Sequence, residues 1–266
     1  MYQFQCDYSE GAHQRIMDRM LETNLEQTPG YGEDHYCTQA REAIKSVLGR
    51  NDVDIHFLVG GTQANATVIS SILRPYQGVL CADTGHINVH ETGAIEHGGH
   101  KVLALPSFDG LLSAESIRKA MEDHLSEDGP EHTVQPGMVY ISFSSETGTI
   151  YALQQLQEIS SVCKEYGLPL FIDGARMGYG LASEGCDVTL SDIASLADVF
   201  YIGGTKQGAL FGEAVVIVNE SLKKDFRFSV WKSIDENHTA VRFCTSWATT
   251  EESVNALIKA IPPLHT

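Results

Sequence analysis

Two short apolar runs in this sequence each end next to a residue that can do chemistry. Residues 170–172 stop at Asp173, and residues 199–202 stop at a Gly-Gly-Thr turn that is followed by Lys206. Continuous apolar runs of this length are typical of strands buried on both faces, as in a parallel sheet covered by helices. Ligands of such sheets bind beyond the carboxyl ends of the strands. The pattern therefore predicts a carboxylate and a lysine at one edge of a sheet.

A lysine and a carboxylate placed in this way suit pyridoxal 5'-phosphate. That cofactor needs a lysine for its Schiff base and an acidic partner for its pyridinium nitrogen. The lysine must lose a proton before it attacks, which burial beside a cationic ring favours. Each motif alone is more often a turn or a flexible loop. Because the two occur together, we interpret Lys206 and Asp173 as cofactor-binding residues.

Two further segments place polar groups after predicted strands. His86 follows an apolar run that ends at Ala82, so its ring could stack on a flat cofactor or accept a proton near neutral pH. Gly61 and Thr62 begin a predicted helix, where backbone amides and a hydroxyl could hold a phosphate. The alternatives are a structural histidine and a plain glycine turn, and local sequence favours the turn.

The remaining charged residues and histidines are candidates for binding a carboxylate or a metal. Arg176 and Arg242 are candidates for binding a carboxylate, because a guanidinium offers two parallel donors. Ion pairing at a surface or interface is the alternative for both. The histidines that follow His86 do not match a recognised ligand pattern, so we expect no metal.

Composition narrows the classes of partner. The 266 residues carry a formal net charge of −17, which argues against nucleic acid, since phosphate binding needs clustered lysine and arginine. No apolar run is long enough for a transmembrane helix, and the first residues do not resemble a signal peptide. The six cysteines are widely spread, as in proteins with reduced thiols. We expect a cytoplasmic protein that binds neither membrane nor nucleic acid.

The order of predicted elements indicates an α/β fold with a mostly parallel sheet. Helical patterns at residues 114–125 and 153–166 alternate with strand-like runs, and Ser9 is expected to cap the first helix. The predicted strands are 54–59, 78–82, 102–105, 138–143, 168–172, 199–202 and 214–218.

With these residues in view, the chain resembles the low-specificity L-threonine aldolases, fold type I pyridoxal-phosphate enzymes grouped with the β-eliminating lyases. The run Asp173, Gly174, Ala175, Arg176 matches their D-G-A-R motif and is the most specific element. The other similar segments are the YG-E-D loop at 31–34, the phosphate cup at 60–65, the histidine segment at 83–87 and the R-x-x-T-x-W segment at 241–247.

The resemblance implies an aspartate-aminotransferase-like fold and a role for each matching residue. Lys206 and His86 would be catalytic. The cofactor would be held by Lys206, Asp173, Arg176, Gly61, Thr62 and His86. The substrate would be held by Arg176, Arg242, Tyr31 and Cys6. The implied reaction is retro-aldol cleavage of L-threonine or L-allo-threonine to glycine and acetaldehyde, in a homodimer or homotetramer, with the preference between the two substrates left open.

This sequence departs from the family pattern in two places. Cys6 stands where the family usually has the serine of an S-D pair, and the chain is shorter than the family's between Ser221 and Arg242. We therefore predict a large cofactor-binding domain over residues 1–218, with its N-terminal helices at the small domain or an interface. Residues 219–266 would be the remnant of an α+β small domain, with a segment missing near 228–230. The alternatives are another fold type I enzyme (a β-eliminating lyase or an aminotransferase) and a catalytically silent relative.

Overall fold

The computed structural model of the chain describes residues 4–223 and residue 255. It divides the chain into two compact units, Met1–Phe226 and Arg227–Thr266, and every element below belongs to the first unit. The predicted domain boundary at residue 218 stays a prediction. Arg242, the expected strand that carries it and the expected gap near 228–230 lie outside the described residues.

The described residues form one seven-stranded sheet. Its strands are β1 (Asp54–Leu58), β2 (Gln77–Ala82), β3 (Lys101–Leu105), β4 (Gln135–Ser142), β5 (Leu170–Asp173), β6 (Val199–Gly203) and β7 (Glu213–Ile217). Their order across the sheet is β1-β7-β6-β5-β4-β2-β3. The pairs from β3 to β6 are parallel, and β7 is antiparallel to both of its neighbours. The predicted α/β fold with a mostly parallel sheet is therefore confirmed.

Helices connect the strands and cover both faces of the sheet. They are α1 (Gln14–Thr23), α2 (His35–Leu48), α3 (Gly61–Ile72), α4 (His86–Val89), α5 (Ala94–His97), α6 (Ala114–Leu125), α7 (Leu153–Tyr166), α8 (Met177–Ala182) and α9 (Leu190–Leu196). Helices α6 and α7 have the predicted bounds. Short 3-10 turns occur at Pro130–His132 and Thr205–Gln207.

The core consists of one apolar cluster on each face of the sheet. On strand β5, Leu170 and Ile172 belong to the cluster that includes residues of α6 and α7, whereas Phe171 belongs to the cluster that includes residues of α3. This division follows from the alternation of side chains along a strand. All four residues of β5 are buried, as the continuous apolar run predicts for a central strand.

The start of the first helix differs from the prediction. Ser9 does not cap it; the helix begins at Gln14, and the His13 ring nitrogen Nδ1 accepts a hydrogen bond from the Arg15 amide at 3.2 Å. A tertiary contact explains the later start of the helix: the backbone N–H of His13 donates to the Gly208 carbonyl at 2.8 Å. That bond fixes the chain next to the Lys206 turn before the helix starts.

None of the helices in the described part of the chain is long and apolar enough to cross a membrane.

Candidate active site

One cavity lies beyond the carboxyl ends of the parallel strands, where the sequence predicts a ligand site. Six predicted site residues line it: Gly61, Thr62, His86, Asp173, Arg176 and Lys206. Cys6 lines an adjoining cavity that shares Thr62, His86, Arg176 and Lys206. Tyr31 is fully exposed and lies outside both cavities. The structure therefore brings seven of the predicted residues together and leaves Tyr31 apart.

Asp173 lies at the end of β5 and is the most constrained acid of the cavity. Its Oδ1 accepts from the Tyr201 hydroxyl at 2.5 Å and from the Ala175 amide at 2.9 Å. Its Oδ2 accepts from the Tyr140 hydroxyl at 2.6 Å and from Asn65 Nδ2 at 3.0 Å. Four donors around one buried carboxylate fix its orientation.

The two tyrosines remain protonated donors in this arrangement. Burial is the main cause that raises the pKa of Tyr140 and of Tyr201 well above the ordinary value, and the charge of Asp173 adds to it. Both side chains are fully buried. A tyrosine in this state donates to the carboxylate at any physiological pH.

Lys206 lies in the 3-10 turn that follows β6, the strand next to β5. Burial, and next the neighbouring charge of Arg176, lower the pKa of its amino group. The Nζ atom lies 5.5 Å from the centroid of the Tyr8 ring. A larger share of this lysine is therefore a neutral, nucleophilic amine than for an exposed lysine at the same pH.

Glu213 of β7 holds the turn that carries the lysine. Its Oε1 accepts from the Thr205 hydroxyl at 2.7 Å, and its Oε2 accepts from the Gly204 amide at 3.2 Å. Burial raises the pKa of Glu213. Because β7 runs antiparallel to β6, the residue that begins β7 lies beside the end of β6.

His86 begins α4, directly after β2. Its ring nitrogen Nδ1 lies 2.8 Å from Oε1 of Glu91, whose side chain is fully buried. The hydrogen bond to Glu91 is the main cause that raises the pKa of His86, against the opposing effect of burial. Its backbone N–H donates to Glu146 at 3.2 Å. The histidine can therefore exchange a proton near neutral pH.

Arg176 is paired with an acid of the N-terminal segment. Its Nε and one terminal nitrogen donate to the two oxygens of Asp7 at 2.5 and 3.2 Å. This paired geometry holds the guanidinium at the cavity, where it also lies close enough to Lys206 to influence the pKa of that lysine. These paired donors suit a carboxylate, and a substrate carboxylate would have to take the place of Asp7 to use them.

The N-terminus of α3 lines the cavity with Gly61 and Thr62. Gly60 precedes the helix in an extended conformation and offers no side-chain cap, so the amides of Gly61 and Thr62 belong to the unpaired first turn. A Cβ atom at Gly61 would lie 3.1 Å from the Tyr201 hydroxyl oxygen. The arrangement suits an anion such as a phosphate at the helix start.

The roles of several residues in or directly behind the cavity were not anticipated from the sequence. Tyr140 and Tyr201 occur inside apolar strand runs and look like ordinary core residues. Asn65 lies one helical turn after Gly61, a spacing that could have drawn attention to it. Glu91 and Glu146 carry no local signal. Within the described residues, no group of three or more potential metal ligands is present.

The chain belongs to the β-eliminating lyase family, whose profile matches residues 3–248. It is 32% identical over 228 residues to a low specificity L-threonine aldolase of Pseudomonas aeruginosa, and the match covers 85% of this chain and 64% of the relative. It is 28% identical over 216 residues to the corresponding protein of Saccharomyces cerevisiae, over 79% of this chain and 54% of the relative.

A solved structure supports the same assignment. Threonine aldolase of Leishmania major superposes with a TM-score of 0.78 at 49% identity, over 81% of this chain and 62% of that one. An aspartate aminotransferase of Thermus thermophilus, at 16% identity and a TM-score of 0.63, is similar in fold alone. The fold is thus fold type I, as expected. The chain spans somewhat less than two thirds of the length of its threonine aldolase relatives.

Proposed function

We propose that this chain is a pyridoxal-phosphate-dependent lyase that cleaves L-threonine or L-allo-threonine into glycine and acetaldehyde. The observation that carries the proposal is the cavity in which the lysine after β6 and the acid at the end of β5 lie together. The similarity to threonine aldolases from three organisms supports this reaction over others of the same fold.

The donor set of the cavity fits pyridoxal phosphate. Lys206 is a partly buried amine with a lowered pKa, which suits covalent attachment. Asp173, held by four donors, suits a protonated ring nitrogen, and the first turn of α3 at Gly61 and Thr62 suits the phosphate. His86 lines the same cavity and can cover one face of the ring. When bound, the cofactor supplies an electron sink for a carbanion at the substrate Cα.

The protein's own residues then have distinct tasks. Arg176 binds the substrate carboxylate, which sets the direction in which the Cα–Cβ bond points. His86 takes the proton of the β-hydroxyl as that bond breaks, and the bonding electron pair stays with the glycine fragment. The β-carbon leaves as an aldehyde. The predicted contributions of Arg242, Tyr31 and Cys6 to substrate binding remain part of the proposal.

We also propose a homodimer or homotetramer in the cytoplasm. Large apolar side chains near the N-terminus are almost fully exposed in the single chain, among them Phe4, Leu25 and Tyr31, which supports contact with another subunit. The cysteines of the described part are all free thiols, which is usual in a reducing compartment.

The proposal is tested by adding pyridoxal phosphate to the full chain, recording the visible spectrum, and then adding L-threonine or L-allo-threonine. We expect a visible band that changes with substrate, together with acetaldehyde and glycine in equal amounts. Lys206→Ala should abolish the band, whereas the exposed Lys164→Ala control should retain it. A keto acid without acetaldehyde would indicate an aminotransferase or a β-eliminating lyase. A protein that stays colourless would be a silent relative.

A further inference from the structure

A buried carboxylate lies behind the ring of His86. Glu91 is placed between α4 and α5, and its side chain is completely inaccessible to solvent. Its Oε1 lies 2.8 Å from His86 Nδ1 and accepts from Asn65 Nδ2 at 2.7 Å. Its Oε2 has no partner among the described residues. A carboxylate buried in this way is costly unless a donor or a cation compensates it, and His86 is the titratable group that does so here.

Asn65 connects this carboxylate to the acid on the floor of the cavity. Its Nδ2 donates to Glu91 Oε1 at 2.7 Å and to Asp173 Oδ2 at 3.0 Å. An amide nitrogen carries two protons, so each carboxylate receives one. The reverse orientation of the amide would place its oxygen against two acceptor oxygens. The two carboxylates therefore decide which way the buried amide points.

The hydrogen bond to Glu91 determines what the His86 ring can do. With the proton of Nδ1 donated to the carboxylate, the neutral ring keeps Nε2 as its basic nitrogen. The ring is 29% exposed and lines the cavity, so it is accessible to a bound ligand. The same carboxylate stabilises the doubly protonated ring.

We propose that Glu91 and Asn65 are positioning residues that set the orientation and tautomer of His86, so that Nε2 is the atom that takes the substrate proton. Asn65 also ties this proton-accepting histidine to Asp173, the acid assigned to the cofactor ring. The assignment of a substrate proton rests on the proposed aldolase function. The tautomer of His86 and the contacts that set it do not depend on that function.

Several titratable or charged groups face His86. They come from its own segment and from the ends of three strands: His90, Glu91, Glu146, Asp173, Arg176 and Lys206. Lys206 opposes protonation of the ring, while Asp173 favours it less than Glu91 does. Glu91 is the acid that touches a ring nitrogen, so its substitution should have the largest effect.

Nuclear magnetic resonance of the full chain labelled with ¹⁵N-histidine tests the positioning directly, with and without added pyridoxal phosphate. The His86 signals are assigned by their loss in His86→Gln. In the unsubstituted protein we expect the neutral ring to carry its proton on Nδ1, the less common tautomer in water. A neutral ring protonated on Nε2 would overturn the proposal without the need for any variant at Glu91 or Asn65.

Two variants should move the titration of His86 in opposite directions. Glu91→Gln keeps an acceptor oxygen and removes the charge, so the pKa of His86 should fall by about one pH unit or more. Asn65→Leu removes the hydrogen bonds that Asn65 donates to Glu91 and Asp173. Glu91 then interacts with His86 without a competing donor, so the pKa of His86 should rise. The control is Glu96→Gln, a charge removed from an exposed position of α5, and it should leave the titration unchanged. Equal titration in Glu91→Gln and Glu96→Gln would overturn the proposal.

The pH profile of threonine cleavage separates this inference from the proposed function. Because the base form of His86 is required, the acid limb of kcat/KM in Glu91→Gln should move to lower pH by the same amount as the titration. If the titration of His86 behaves as expected and no aldehyde forms, the proposed aldolase reaction is wrong and the positioning role of Glu91 and Asn65 is retained. If aldehyde forms and the acid limb of Glu91→Gln does not move, the positioning role is wrong and the proposed aldolase reaction is retained.

Discussion

The Tyr201 hydroxyl donates to Oδ1 of Asp173 at 2.5 Å and so joins strand β6 to strand β5 on the floor of the cavity. Tyr201 is fully buried, and its hydroxyl also lies close to the start of α3 at Gly61. The Tyr201 side chain thus links Asp173, the strand that precedes Lys206 and the candidate phosphate site.

Removing that hydroxyl should destabilise the fold. In Tyr201→Phe, Asp173 Oδ1 keeps the Ala175 amide but loses a charge-assisted hydrogen bond, so the free energy of unfolding should fall by about 1.5–3 kcal/mol. Denaturant unfolding of the full chain measures this. Tyr76→Phe removes a hydroxyl from an exposed ring and should change stability by less than about 0.5 kcal/mol. Equal effects of the two variants would show that the buried bond adds no net stability.

The glycine that follows Asp173 is required by a close approach of two backbones. A Cβ atom at Gly174 would overlap the carbonyl oxygen of Tyr201. Because that oxygen belongs to a central strand and cannot move aside, Gly174→Ala should cost about 3 kcal/mol or more of unfolding free energy. Gly11→Ala, where the space around the new methyl group is open, is the matched control. A thermal midpoint of Gly174→Ala equal to that of the control would contradict this reading.

The guanidinium geometry of Arg176 should matter for substrate binding. Arg176→Lys keeps the positive charge but loses the paired donors, so we expect the KM for L-threonine to rise about tenfold or more, or about 1.4 kcal/mol. The matched control is Arg50→Lys, which alters a similar two-bond pair with Asp52 elsewhere in the fold. Steady-state kinetics with both variants decide the matter. An unchanged KM in Arg176→Lys would assign carboxylate binding to another residue.

The lowered pKa of Lys206 predicts unusual reactivity at moderate pH. Only the neutral amine reacts with an acylating reagent, and its fraction rises as pH increases through the pKa. Since burial lowers the pKa of Lys206, half-maximal acylation should occur at a lower pH than for an ordinary lysine. Lys119, whose pKa is raised by its hydrogen bond to Asp123, should require a higher pH. Competitive labelling followed by peptide mass spectrometry gives both midpoints in one sample, and the reverse order would refute the prediction.

Much of the site could be predicted because parallel strands end at one edge of a sheet. Asp173 and Lys206 follow the neighbouring strands β5 and β6, and His86 follows β2 at the same edge. A polar residue at the end of an apolar run is visible in the sequence itself. The helix start at Gly61 and Thr62 was visible in the same way, from the switch between a strand pattern and a helix pattern. A phosphate site there was implied only by the family resemblance, since the local sequence favoured a plain glycine turn.

The residues that hold these groups in place could not be predicted. Tyr140 and Tyr201 read as apolar core residues, and their role depends on which face of the sheet they share with the Asp173 carboxylate. Glu91 and Asn65 meet because α3 packs against the segment that follows β2, a contact between parts of the chain 26 residues apart. The cap of the first helix was predicted wrongly for a similar reason, since His13 is fixed by its bond to Gly208.

The sequence by itself determined the kind of sheet, the edge at which the chemistry lies and the acid and lysine that define it, because strand ends and apolar periodicity are local properties of the chain. Only the tertiary structure decided which buried donors surround Asp173 and which carboxylate orients His86. Three donors to Asp173 lie 28, 33 and 108 residues away, and the Glu91 carboxylate beside His86 is bound by Asn65, 26 residues away. These partners depend on strand order, register and helix packing.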